Sequence, residues 1–130
     1  MITVRAMTNR TRGFYTLMGP YLARREIVKE LGGHLWDDDD KTWFVATNGS
    51  QVLGFCAARP GVRGVTVFQS SYVLPAHRRR GVYRAIMQAR DEAFPGPAQA
   101  TCTAASLPVH LQRGFEVAGT RGSFTRVTRP

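Results

Sequence analysis

Apolar and polar residues recur along the chain with a period that changes several times, and each change marks an element. Ile2–Met7 reads as a first strand. Thr11–Met18 reads as a short helix, and Tyr21–Leu31, entered through Pro20 and closed by Gly32-Gly33, as a second. Proline near a helix start and glycine just past its end is the common asymmetry. Lys41–Ala46 and Gln51–Ala58 flank Asn48-Gly49, a hairpin signal because both residues tolerate positive φ. Gly64–Leu74 is a longer strand, rich in β-branched and aromatic residues, whose alternation breaks at Gln69-Ser70-Ser71. Three polar residues in a row there predict a bulge or a strand leaving its neighbour.

Gly81–Phe94 has the clearest helical period, with Val82, Ala85, Ile86, Ala89 and Ala93 on one face and Pro95-Gly96-Pro97 as the stop. Gln99–Ala105 is a short strand, and Pro108–Arg113 a helical turn or two ended by Gly114. Phe115–Thr120 and Ser123–Thr128 pair across Arg121-Gly122. The order is hairpin, strand, helix, strand, short helix, strand pair, which predicts a mixed α/β or α+β domain with a crossover helix after the central strand. At 130 residues, with no repeat or composition break, residues 1–130 are expected to form a single domain. Trp36, Trp43, Phe44, Phe55, Phe68 and Phe115 are the expected aromatic core.

Composition narrows the class. The chain is 43% hydrophobic and 21% charged, the balance of a globular protein. No apolar run approaches the ~20 residues of a membrane helix, and the first residues lack the apolar stretch of a signal peptide, so a cytoplasmic protein without membrane contact is the expectation. Cys56 and Cys102 lie far apart, with no paired spacing and no histidine cluster. They read as reduced, buried thiols, and no metal site is expected.

The net charge of +9 is unevenly placed: residues 1–40 carry six basic and six acidic groups, so the whole excess falls in residues 41–130. Such a field draws polyanions, whether nucleic acid, an acidic protein or a phosphorylated ligand.

The chemistry concentrates in Ser71-Tyr72-Val73-Leu74-Pro75-Ala76-His77-Arg78-Arg79-Arg80-Gly81-Val82-Tyr83, where a strand runs into a basic, glycine-bearing turn that opens a helix. Backbone N–H groups and the helix dipole at such a terminus favour an anion, and three arginines add cationic cover. The competing reading is a solvated basic turn. Neither a Walker-type loop nor a G-x-G-x-x-G follows a strand.

This segment resembles the acyl-CoA signature of the GNAT (GCN5-related N-acetyltransferase) superfamily, a strand ending V-x-P followed by R/Q-x-x-G-x-G/A. Val73, Pro75, Arg78 and Gly81 match in register, and Tyr83 stands where the pattern has a small residue. The element order agrees from Ile2 to Thr128. The resemblance implies a GNAT-like fold, with a central mixed, mostly antiparallel sheet, splayed central strands and flanking helices. It implies that Tyr72, Val73 and Leu74 contact the pantetheine arm, and that Arg78, Arg79, Arg80, Gly81, Val82 and Tyr83 contact the pyrophosphate. The expected activity is transfer of an acyl group from acetyl-CoA, or another acyl-CoA, to a primary amine by direct attack.

Val109-His110-Leu111-Gln112-Arg113-Gly114-Phe115 resembles the family's late Y-x-x-x-G-F element, with His110 at the position of the tyrosine that protonates the leaving thiolate. An imidazole titrates in the right range for that role; the plain reading is a helix-surface histidine. No carboxylate lies on the strand Gly64–Leu74, so the base is sought in water held by Gln69, Ser70, Ser71 or Tyr72, or in the Asp37–Asp40 run, which otherwise reads as a solvated acidic loop. Two other functions remain open: a GNAT-like enzyme of the Mom type acting on a DNA base amine, and a non-catalytic module that binds acyl-CoA or a polyanion.

Overall fold

A computed structural model describes residues 1–130. The helices are α1 (Phe14–Leu22), α2 (Arg25–Leu31), α3 (Val82–Ala93) and α4 (Leu107–Leu111). The strands are β1 (Thr3–Met7), β2 (Thr42–Asn48), β3 (Gln51–Pro60), β4 (Thr66–Val73), β5 (Ala98–Cys102), β6 (Glu116–Arg121) and β7 (Phe124–Arg129). All seven strands form one sheet in the order β1-β2-β3-β4-β5-β7-β6. Every neighbouring pair is antiparallel except β4 and β5. This is the mixed, mostly antiparallel sheet with flanking helices that the family resemblance implies.

Residues of β2 and β3 are apolar at successive positions because both faces of the sheet are covered. Trp43, Val45, Phe55 and Ala57 pack with Phe14, Met18 and Ile27 of α1 and α2. Phe44, Ala46, Cys56 and Ala58 pack with Val82, Ile86 and Met87 of α3. The two helical layers therefore sit on opposite faces, with the sheet between them.

Local boundaries differ from the sequence reading in ways that have causes. The hairpin loop is Gly49-Ser50, closed by Asn48 opposite Gln51, and only Gly49 has positive φ (65°). Pro20 lies inside α1 rather than opening the next helix. The break falls instead at Arg24, which is extended at φ −69°, ψ 123°. α2 does end as expected, on left-handed Gly32. Trp36 is not core: it is 63% exposed, whereas Trp43, Phe44, Phe55, Phe68 and Phe115 are buried. Ala93 is exposed and the buried face of α3 runs through Val82, Ile86, Met87 and Arg90. Both cysteines are buried and free, and burial pushes both thiols up, Cys56 to about 11. No helix is long and apolar enough to cross a membrane.

Three elements are tied together behind the sheet by Asp91. Its carboxylate takes Arg113 Nη1 at 2.9 Å and Arg129 Nη1 at 3.0 Å, joining α3 to the end of α4 and to β7. This fixes α4 against α3, and so fixes one wall of the site.

Candidate active site

β4 and β5 run parallel but pair only where Thr66–Phe68 meets Ala98–Ala100. Beyond that point they diverge, and the gap between them opens into a cleft of about 1000 Å³. On its other edge β4 stays paired with β3 as far as Gly54 opposite Val73. Past Phe68 the β5-facing backbone groups of β4 therefore have no strand partner until Val73, whose carbonyl is taken by the Arg78 side chain, and this is the open edge that an extended amide-bearing arm can join.

The polar break sits in that open stretch and is a bulge. Phe55 pairs with Tyr72 and Ala57 with Gln69, so two steps on β3 match three on β4. Ser70 absorbs the extra residue at φ 60°. As a result Ser70 and Ser71 turn to opposite faces of the sheet. Ser70 Oγ receives Lys41 Nζ at 3.0 Å on the α1–α2 side. Ser71 Oγ receives Arg90 Nη1 at 3.1 Å on the α3 side. Both serines line the cleft.

At the mouth of the cleft the chain turns from β4 into α3. Arg79 (φ 64°) and Gly81 (φ 83°) are both left-handed, which curls the loop into a concave shape. The backbone N–H groups from Arg79 to Arg84 reach no backbone acceptor. A Cβ on Gly81 would meet nothing within 4 Å, so the space above the loop is open. A diphosphate fits this donor set: free N–H groups at the start of a helix of twelve residues, with Arg79, Arg80 and Arg84 exposed around it.

The other predicted contacts are distributed more finely than the sequence indicates. Arg78 lines the cleft with its guanidinium already engaged. Its Nε donates to Val73 O at 2.8 Å and its Nη2 to both Glu30 oxygens at 2.9 Å, tying β4 to α2 across the Tyr72 ring. Val73 and Val82 put their side chains into the core on the α3 face. Tyr72 is buried on the other face against Phe55. Leu74 donates its N–H to Leu53 O at 2.9 Å. Tyr83 lies inward, against the core under α3, instead of occupying the cradle. Its Oη is buried and has no hydrogen-bond partner. Burial raises its pKa, so the phenol stays protonated.

His110 is 4% exposed, so it is not a helix-surface residue. Its Nδ1 lies 2.9 Å from Ser106 O, which requires a proton on Nδ1, and its Nε2 faces Arg90 Nη2 at 3.4 Å as an acceptor. Burial lowers its pKa, and the nearby Arg90 charge adds to the effect. The ring is therefore neutral near pH 7. Ser106 itself is locked to Thr103 by reciprocal bonds, Thr103 N–H to Ser106 Oγ at 3.0 Å and Ser106 N–H to Thr103 Oγ1 at 3.3 Å.

Arg90 joins Ser71 to His110, and sequence reading passes over it because a charged residue on a helix normally faces water. It is 1% exposed, pairs with no carboxylate, and lies 4.1 Å from the Phe68 ring centroid. The available signal was its place four residues after Ile86 on the buried stripe. Lys41, 1% exposed, was missed for the same reason. The Asp37–Asp40 run stays outside the cleft. Tyr15 donates to the Asp37 carboxylate and Asn9 to Asp39 Oδ1, which clasps the loop to the segment before α1 and to α1 itself.

Comparison with known proteins agrees with this geometry. The sequence profile described as the acetyltransferase (GNAT) domain matches residues 39–117. Among solved structures, the chain is similar to Escherichia coli ElaA, with a TM-score of 0.79 at 14% identity over 100% of both chains. It is similar to an acyl-CoA N-acyltransferase from Pseudomonas aeruginosa, with a TM-score of 0.70 at 15% identity, again over 100% of both. A third likeness is to the PaiA N-acetyltransferase from Thermoplasma acidophilum in complex with coenzyme A, with a TM-score of 0.67 at 9% identity over 99% of this chain and 98% of that one. At such identities the likeness is one of fold. No functionally curated protein matches the sequence.

Proposed function

The chain belongs to the acetyltransferase (GNAT) family, and from that premise we propose that it moves an acyl group, acetyl first among them, from acyl-CoA to a primary amine in the β4–β5 cleft. The observation that carries this reading is the continuity of two donor sets. Unpaired backbone on β4 runs directly into the free N–H groups of Arg79–Arg84. One suits the amides of a pantetheine arm, the other its diphosphate. Tyr72, Val73 and Leu74 contribute backbone, Gly81, Val82 and Tyr83 contribute N–H groups, and Arg79 and Arg80 contribute mobile charge. Arg78 acts through its grip on Glu30 and Val73.

In the transfer a carbon–nitrogen bond forms as the carbon–sulfur bond breaks, and the leaving thiolate needs a proton. A neutral His110 whose Nδ1–H is committed to Ser106 offers none. Tyr83 lines the cleft and its buried Oη–H has no acceptor of its own, so Tyr83 takes the donor role and His110 holds Arg90 against Ser71. Tyr83→Phe is expected to lower kcat at least tenfold while leaving the melting temperature and acetyl-CoA affinity unchanged; an unchanged kcat would return the role to another group.

The broader reading is tested by binding. Acetyl-CoA at a hundredfold excess over its Kd adds about 2.7 kcal/mol to stability, and Gly81→Val, which places a branched side chain at φ 83° inside the cradle, is expected to abolish most of that gain. Absence of a shift in the wild-type protein, with no thiol released on adding primary amines, would sink the proposal. Exposed Arg79, Arg84 and Arg126 rim the cleft, which makes an amine carried on nucleic acid one acceptor to include. DNA affinity that falls steeply with salt would support that acceptor, and no binding at low salt would remove it.

A further inference from the structure

We infer that Ser70 and Lys41 form the proton-accepting relay of this reaction, with Ser70 Oγ taking the proton of the attacking amine nitrogen and passing its own to Lys41 Nζ. The inference rests on the transferase reading and supplies the base that reading lacks. Glu30 is the sole carboxylate lining the cleft, and both of its oxygens are 2.9 Å from Arg78.

Lys41 is the first residue before β2, on the same sheet face as Trp43, and its side chain runs inward beneath the bulge. Nζ has two polar neighbours, Trp36 O at 2.7 Å and Ser70 Oγ at 3.0 Å, and lies 4.2 Å from the Trp43 ring centroid. It forms no ion pair within 4.0 Å. A buried ammonium without a counter-ion favours the neutral amine. In that state one N–H stays on Trp36 O and the lone pair faces the Ser70 hydroxyl. Ser70 in turn is held at the surface of the cleft by its left-handed backbone.

The charges around Lys41 leave burial dominant. Asp38, Asp37 and Asp40 of the preceding loop favour the ammonium, Arg59 at the far end of β3 opposes it, and burial outweighs them and brings the pKa down to about 8. That is close to working pH, where a base is most effective. The proton balance closes: as the carbon–nitrogen bond forms, the nitrogen proton goes to Ser70 Oγ and the Ser70 proton goes to Nζ; after release the ammonium gives its proton through Ser70 to water in the emptied cleft, and the Tyr83 phenolate left by protonating the thiolate takes one back from that water.

Two measurements test this. The chain has only two lysines, Lys29 and Lys41, so protein carrying ¹³C-labelled lysine gives two side-chain signals, and a Lys29→Arg variant leaves one. The Lys41 signal is expected to titrate near 8; titration at the ordinary value of 10.5 would overturn the relay whether or not the protein is a transferase. The second measurement is the pH dependence of kcat with the best primary amine found. Ser70→Gly removes the hydroxyl without straining a backbone already at φ 60°, and Lys41→Arg keeps the site charged at every pH. Each is expected to lower kcat about a hundredfold, to lose the limb near pH 8, and to leave the KM for acetyl-CoA unchanged. Ser70→Gly with wild-type kcat and the same limb would refute the relay alone. Wild-type protein that transfers to no amine would instead defeat the transferase reading, and this inference with it.

Discussion

Gly54→Val is expected to destabilise the protein by about 3 kcal/mol and to abolish acyl-CoA binding together with stability. A Cβ at Gly54 would lie 2.8 Å from Tyr72 O, 3.1 Å from Val73 Cα and 3.1 Å from Val82 Cγ1. Two of these atoms, including the nearest, are backbone of β4, which no side-chain rotation can move, and the third is a methyl of Val82, the first residue of α3. Either β4 separates from β3 near Val73, or α3 lifts from the sheet. Both movements act on the junction where the strand's open edge meets the cradle. Urea unfolding gives the stability change, and calorimetry with acetyl-CoA gives the binding. A variant that kept wild-type stability would show that the sheet and α3 can separate at little cost.

Lys41→Met is expected to have the opposite sign, a gain of about 2 kcal/mol near pH 7. The folded chain holds this amine at a pKa of about 8 against an ordinary 10.5. At pH below 8 the unfolded chain carries the same proton without the burial cost, so the full difference opposes folding, up to roughly 3 kcal/mol at 1.36 kcal/mol per unit. Methionine fills the space and removes the charge, while the lost bonds to Trp36 O and Ser70 return about 1 kcal/mol. Between pH 8 and 10.5 the unfolded chain binds more protons at this site than the folded one, so wild-type stability rises with pH relative to the variant. Urea melts at pH 7 and pH 9.5 read this directly: the variant's advantage narrows at the higher pH. An advantage that did not change with pH would mean that Lys41 is not buried as a costly cation.

Much of the fold was legible because local chemistry decides it. Gly32 and Gly49 stand at left-handed positions, Pro95-Gly96-Pro97 stops α3, and three polar residues interrupt an otherwise apolar β4. Pro20 misled because a proline's missing N–H suits a helix start, yet α1 tolerates it in its later turns. Trp36 misled because aromatic residues are usually buried, whereas its backbone carbonyl is the part that faces inward, toward Lys41.

The site divided along the same line. The cradle at Arg79–Gly81 depends on backbone conformation, which glycine and neighbouring turn residues announce. Arg78 was assigned to phosphate by its place in a motif, but its partner Glu30 lies 48 residues earlier. Lys41 and Arg90 were hidden for a stronger reason. A charged side chain reads as surface until the fold supplies neutral oxygens that draw it inward, and here those include two adjacent serines turned apart by a single extra residue.

The choice of arginine for nearly all of this basic charge has a chemical consequence. Of eighteen basic residues sixteen are arginine, one lysine is buried beneath the bulge, and Lys29 alone is exposed. Guanidinium groups stay protonated under all ordinary conditions and do not consume thioesters. A protein that gathers reactive acyl donors with such a surface holds them beside cations that they cannot modify, so its own outer face is protected from the self-acylation that a lysine-rich rim would suffer.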